Sequence, residues 1–209
     1  MKFFSKREFF GVFIIFAVLV VITLKNLQVA ERRARDAQRR SDLGSLSNAV
    51  GKYYEDFGFF PLTTSDGSIQ ACRGANYDEL IKSLSQEMSF NRQKYLEGLV
   101  GCEWGKASLV DLQDSSYPAY LKTIPEDPLT DEGLYYFYIS DGRFYQVYAY
   151  LEGEESEDGY TPGIVARNLS CGEKVCNFGK AYGETPLDKS LEEYENELST
   201  KNRLLDETR

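Results

Sequence analysis

The chain has no histidine. That removes the commonest general base, the usual partner of a serine or cysteine nucleophile and the commonest metal ligand. Ser-His and Cys-His catalysis and imidazole zinc sites are excluded with it. Four cysteines remain, Cys72, Cys102, Cys171 and Cys176. An even count in a membrane-anchored domain reads as two disulfides in an oxidising compartment. Cys171 and Cys176 flank Gly-Glu-Lys-Val, a short loop that one bridge would close, which leaves Cys72 for Cys102. Four cysteines allow three pairings. A four-thiolate zinc site is the competing use, although its two-residue spacing is absent. Carboxylates are the third candidate chemistry. Residues 152–158 read EGEESED, which offers the oxygen ligands calcium takes. Such runs are more often solvated loops, and no spacing sets two Asp or Glu in a defined cleft. The expectation is no catalytic residue, no metal and no cofactor.

The elements that carry these residues begin with a long apolar run. Residues 9–24 contain no charge, and at about 1.5 Å per residue they give ~24 Å of helix. A bilayer core is about 30 Å thick, so the segment spans it if its ends snorkel or thin the lipid. Lys2, Lys6, Arg7 and Lys25 are placed for that. A cleaved secretory signal needs small residues after the apolar run. Lys25-Asn26-Leu27-Gln28 stands there instead, so the sequence predicts a retained, single-pass membrane helix.

Charge divides the chain. Residues 1–42 hold nine Lys/Arg against four Asp/Glu, a net +5, and with −9 for the whole chain the remainder carries −14. An acidic head does not bind nucleic acid, since phosphate contacts need clustered Lys/Arg. The basic stalk can meet anionic lipid headgroups, or the acidic head of a neighbouring copy through Arg32, Arg33, Arg39 and Arg40. Both regions can also be merely solvated. Counting Lys/Arg gives three before the span and six after it, to Arg40. By itself the positive-inside rule would put the head in the cytoplasm.

No Pro or Gly stops the helix after the span. Leu43, Leu46, Val50, Tyr53 and Phe57 continue it as one apolar stripe. Gly58 and Pro61 end it. Residues 77–88 and 91–100 read as short amphipathic helices. The period then changes to two: 134–140 and 144–152 flank Asp141-Gly142, a hairpin signal, and a third strand is expected at 163–169. The first strand is apolar on both faces. One face is expected on the helix stripe, the other under the chain's own middle segment or a partner. Residues 186–209 are charged, with Leu187, Leu191, Tyr194, Leu198 and Leu205 at heptad-like steps, giving a terminal helix, a short coiled coil or a frayed tail. The domain reading is a cytoplasmic flank (1–8), a transmembrane helix (9–24), an extramembrane helix (25–58), a head (59–183) and a charged tail (184–209). The fold class is α+β, a long N-terminal helix packed on a small antiparallel sheet.

Residues 4–43 resemble the N-terminal helix of type IV pilins and type II secretion pseudopilins, most of all the G-type. The matching residues are Phe4, Glu8, the apolar run to Leu24, Lys25-Asn26, and Arg33-Ala34-Arg35-Asp36-Ala37-Gln38-Arg39. Residues 53–61 (YYEDFGFFP) resemble the family's helix exit. Residues 120–128 (YLKTIPEDP) resemble its Leu-Pro-x-Asp-Pro turn, and the hairpin ending at Glu152 resembles its sheet. The chain departs from the pattern in three places. Phe3 stands where the family has the Gly before its cleavage point, so the N-terminus is expected to stay uncut. Lys6 and Arg7 replace apolar residues. Lys25 replaces the family's kinking Pro. The resemblance implies a role in assembly for Glu8, although that role rests on an amino group that cutting would expose. It implies a calcium loop after the sheet, but its Gly-Asp-Gly pattern is not reproduced. Asn168-Leu169-Ser170 fits a glycosylation sequon, which carries little weight in a bacterial-looking chain.

The resemblance sets the expected orientation, head outside the bacterial cytoplasmic membrane, and the cysteines agree. The expected function is that of a membrane-anchored pilin or pseudopilin-like structural subunit. Its partners would be lipid, itself or other pilin-like subunits, and an assembly platform. Nucleic acid and small-molecule substrates are not expected. The runner-up is a membrane-tethered extracytoplasmic binding domain that never polymerises.

Overall fold

One helix, α1, runs from Lys6 to Phe57 in the computed structural model, 52 residues, which make about 78 Å of rod. The structure describes residues 6–84, 91–153 and 159–207, with side chains for 9–83, 91–153 and 159–205. The first half of α1 is bare. Its apolar window is 0% buried, and exposed large apolar side chains continue past Leu24 to Leu27 and Val29. The exposed apolar stretch is therefore longer than the uncharged run alone: residues 9–29 make about 31 Å of helix, the thickness of a bilayer core. A buried core helix would have been covered, and this one is not.

The second half of α1 is the spine of the core. Leu43, Leu46, Ala49, Val50 and Tyr53 are buried on one face, as the stripe predicted. The helix stops where Gly58 turns to a φ of 73°. The Gly58 N–H donates to the Tyr54 carbonyl at 2.8 Å, an ending that the left-handed freedom of glycine permits.

Two three-stranded antiparallel sheets pack on this spine, where the sequence suggested one. The first has the order β1 (Leu62–Thr63), β2 (Ile69–Arg73), β3 (Leu99–Gly101), with α2 (Tyr77–Leu84) and α3 (Arg92–Glu97) between its last two strands. Residues 85–88 of the expected first helix lie outside the described residues. The expected helix at 91–100 ends early. Gly98 closes it, and Leu99–Gly101 pairs with β2 instead, Val100 opposite Cys72. The Cys72–Cys102 disulfide ties the two strands together.

The second sheet has the order β4 (Phe137–Ser140), β5 (Tyr145–Ala149), β6 (Phe178–Ala181). Asp141-Gly142 opens a four-residue turn in which Asp141 accepts from the N–H groups of Arg143 and Phe144 at 2.7 and 2.8 Å, a local bond that aspartate side chains make readily in turns. Thr63 on β1 donates to the carbonyl of Tyr138 on β4 at 2.7 Å, which sets the two sheets edge to edge. The expected third strand at 163–169 is a correction. That segment holds α4 (Pro162–Ala166), because Pro162 after Thr161 pre-sets the first helical turn. The third strand comes later, after the Cys171–Cys176 bridge.

All five residues of β5 are buried, so both of its faces are covered. Tyr145, Val147 and Ala149 join the core cluster that includes the α1 stripe. On the other face Gln146 donates to the carbonyl of Lys189 at 2.8 Å, and the Tyr148 hydroxyl to that of Leu187 at 3.0 Å. On β5 this cover comes from residues 186–191. On β4, the strand expected to be covered on both faces, Tyr138 joins the core cluster with the α1 stripe and Phe137 packs over Gly67 of the middle segment. The terminal helix α5 (Leu191–Glu207) then starts on a capping box. The Glu193 N–H donates to the Ser190 hydroxyl at 3.1 Å. In return the Ser190 N–H donates to the Glu193 carboxylate at 2.8 Å. Tyr194 packs edge-on to Phe144 at 5.2 Å, so α5 begins against the domain.

Candidate functional site: the bare helix and the arginine knot at its base

The helix face that buries Leu43 and Leu46 carries charge one and two turns earlier. Arg35, Asp36, Arg39 and Asp42 stand at three- and four-residue steps, the spacing that puts side chains on one face. The head brings Asp127 from the turn between Pro125 and Pro128, and Glu152 from just beyond the end of β5. These groups meet at the point where α1 enters the head.

Arg39 is the centre. Its Nε and one terminal nitrogen donate to both oxygens of Asp127, at 2.8 and 2.9 Å. Its other terminal nitrogen donates to Asp36 at 2.9 Å and to Glu152 at 2.7 Å. Arg35 holds Glu152 through two more bonds, at 2.7 and 2.6 Å. Asp36 also accepts the backbone N–H groups of Glu152 and Gly153, at 2.9 and 3.0 Å. Planar guanidinium and planar carboxylate match in this forked geometry, which lysine does not reproduce. One turn further, the Tyr136 hydroxyl donates to Asp42 at 2.8 Å.

Burial lowers the Arg39 pKa, but the hydrogen bonds it donates to Asp127, Glu152 and Asp36 outweigh it and raise the pKa above the ordinary value. The Arg35 guanidinium holds Glu152 below the usual carboxylate range, with Arg39 adding to it. Burial pushes Asp42 up, against the bond from Tyr136. The cluster is a fixed junction of charges between stalk and head.

The sequence candidates separate here. Arg39 is a correction: it was read as a contact for a neighbouring copy, and it is 0% exposed and satisfied inside its own chain. The basic stalk does meet the acidic head, within one molecule. Arg33 is exposed, and Arg32 and Arg40 are partly so. Arg40 lies over Gly159. The side chain of Glu8 lies outside the described residues. The cysteines form the bridges Cys72–Cys102 and Cys171–Cys176, and among the described residues no thiol remains for zinc. Of the acidic run, Glu152 is engaged by the arginines and residues 154–158 lie outside the described residues. Among the described residues no three His, Cys, Asp or Glu gather as a metal site. Sequence reasoning gave none of Arg35, Asp36, Asp42, Asp127, Tyr136 and Glu152 a place in this junction, and weighed Glu152 only as a calcium ligand. The alternation of charge at helical spacing directly above an apolar stripe marks the shared face, though not what lies opposite it.

No protein-family model, no curated protein and no solved structure matches this chain.

Proposed function

We propose that this protein is a membrane-anchored structural subunit of pilin or pseudopilin type. Its apolar half-helix packs with those of neighbouring subunits in the membrane, and its head is carried outside the cytoplasm. The observation that carries the reading is the state of α1. One unbroken helix is bare along an apolar stretch long enough to cross a bilayer core. The same helix is then clamped into a head by Arg35 and Arg39. The head's two disulfides suit an oxidising compartment. Within lipid the association would rest on van der Waals packing of helices, since lipid tails are as apolar as leucine.

Single cysteines placed at Val18 or Ile22 test this in native membranes, because the four native cysteines are already paired. Oxidative cross-linking between copies, or to another pilin-like subunit, on one helix face is the expected result. Monomer at every position would leave the second reading, a tethered binding domain.

A further inference from the structure

Between the bare stretch of α1 and the arginine knot lies a short collar. Of the cations along residues 25–40, Arg35 and Arg39 are locked into the knot, and Arg40 lies over Gly159 of the head. Lys25 and Arg33 are exposed, and Arg32 is half-buried. Lys25, Val29 and Arg33 follow one another at four-residue steps, which makes them one ridge of the helix. Glu31 is the one carboxylate between Phe9 and Arg35, so residues 25–33 hold three cations against one carboxylate, a net +2.

Height decides what this collar meets. The exposed apolar stretch, as long as a bilayer core is thick, ends at Val29, and the headgroup layer beyond a core is about 5–7 Å deep. Arg33 stands about 6 Å past Val29, within that layer, whereas Asp36 and Arg39 stand about 10 and 15 Å past it. Side chains on a helix tilt towards its N-terminus, so Arg33 leans back towards the lipid. Lys25 stands about 6 Å short of Val29, and its long stem lifts the ammonium to the same level. A helix bare over the length of one bilayer core thus carries a basic ridge at the height of the phosphates. The acidic head of a neighbouring copy is the other candidate. Copies side by side in one membrane would hold their heads level, from Asp36 outwards, and the collar would face lipid below them.

We propose that Lys25 and Arg33 bind the phosphate of acidic phospholipids in the leaflet on the head's side, with Arg32 adding to the field and Glu31 opposing it. The site depends on α1 crossing the membrane, the reading proposed above, and needs no assembly.

The full chain carrying Trp104→Phe and Ile22→Trp moves the single tryptophan about three turns below Arg33 on the same face. It is reconstituted at low density in phosphatidylcholine vesicles that contain either phosphatidylglycerol or phosphatidylcholine with brominated acyl chains as quencher. Phosphatidylglycerol should be favoured at the helix by about fivefold, the effect of one cation at a membrane surface, and raised salt should erode the preference. Lys25→Gln with Arg33→Gln should abolish it and Glu31→Gln should raise it, with unchanged far-UV circular dichroism. Quenching by neither lipid would place α1 outside the bilayer, and the anchor and this site would fall together. Equal quenching by both lipids, or a preference untouched by Lys25→Gln with Arg33→Gln, overturns the site and leaves the anchor standing. If quenching is equal and those two substitutions lower cross-linking between copies in pure phosphatidylcholine, the collar serves a neighbouring head instead.

Discussion

The guanidinium of Arg39 meets the carboxylate of Asp127 through two parallel bonds of 2.8 and 2.9 Å, across 88 residues of sequence, with both side chains sealed from water. Asp127 in turn accepts the backbone N–H of Leu129 at 2.9 Å, so the turn between Pro125 and Pro128 is organised by the same carboxylate. A stalk residue therefore shapes a head loop.

Removing one partner of such a pair strands the others. Arg39→Ala leaves Asp36 and Asp127 buried without a counter-charge, and the expected loss is about 3–5 kcal/mol. Arg39→Lys should recover only part of it, because an ammonium cannot fork onto two carboxylates. Denaturant unfolding of the detergent-solubilised chain measures both. A loss below about 1 kcal/mol, the range of exposed pairs, would mean that water reaches the knot.

Acid should loosen the junction at Glu152. Its folded carboxyl titrates below its ordinary 4.5, chiefly through Arg35. Its contribution is therefore complete above pH 4.5 and is lost as pH falls through the lowered folded value. Asp42 has the opposite sign, since its folded value is raised and its protonation favours the folded state. Melting temperatures from neutral pH down into acid should show wild type above Glu152→Gln at neutral pH, with the gap closing in acid. A gap independent of pH would refute the assignment.

The two disulfides should differ in weight. Cys72–Cys102 closes a separation of 30 residues and Cys171–Cys176 one of 5. Chain entropy gives about 3.5 kcal/mol for the first and about 2 kcal/mol for the second. Paired Cys→Ser replacements, compared by thermal melting, should rank in that order. The reverse ranking would show that the buried Cys171–Cys176 loop is held mainly by native packing.

Reversing charge along the stalk now separates two effects. Arg33 is exposed. Substitutions at such surface positions usually move stability by no more than about 0.5 kcal/mol, and Arg33→Glu should do the same. Arg39→Glu sets a fourth carboxylate against Asp36, Asp127 and Glu152 and should open the junction to protease. If electrostatics contributes to assembly, Arg33→Glu lowers cross-linking between copies while the head stays folded, and salt does the same. Unchanged yields in both conditions would leave helix packing to carry assembly alone.

The stripe Leu43, Leu46, Val50 and Tyr53 was legible because a helix repeats every 3.6 residues, and the Asp141-Gly142 turn because few dipeptides bend so sharply. The first sheet was not. β1 is two residues long and β3 three, too short to show a period. The strand expected at 163–169 failed because apolar Ile164 and Val165 looked β-rich, while Pro162 decided the local backbone. Ser190-Leu191-Glu192-Glu193 was a readable helix start that went unused. The partners in the knot were illegible for a different reason: Arg39 and Asp127 are neighbours only after the chain between them has folded. Charge at helical spacing looks the same whether water or a carboxylate lies opposite.

Between Gly11 and Gly44 the helix contains no glycine, and it contains no proline at all. Kinks form at such residues, so the stretch between Gly11 and Gly44 has no built-in hinge. Membrane helices commonly lean by about 20°. From Val29 to Leu43 the lever is about 21 Å long, so in a bilayer such a lean would carry the base of the head sideways by about 7 Å. In a bilayer, lipid thickness and any neighbouring helices would act at one end of this lever, and the direction in which the head faces would be read out at the other.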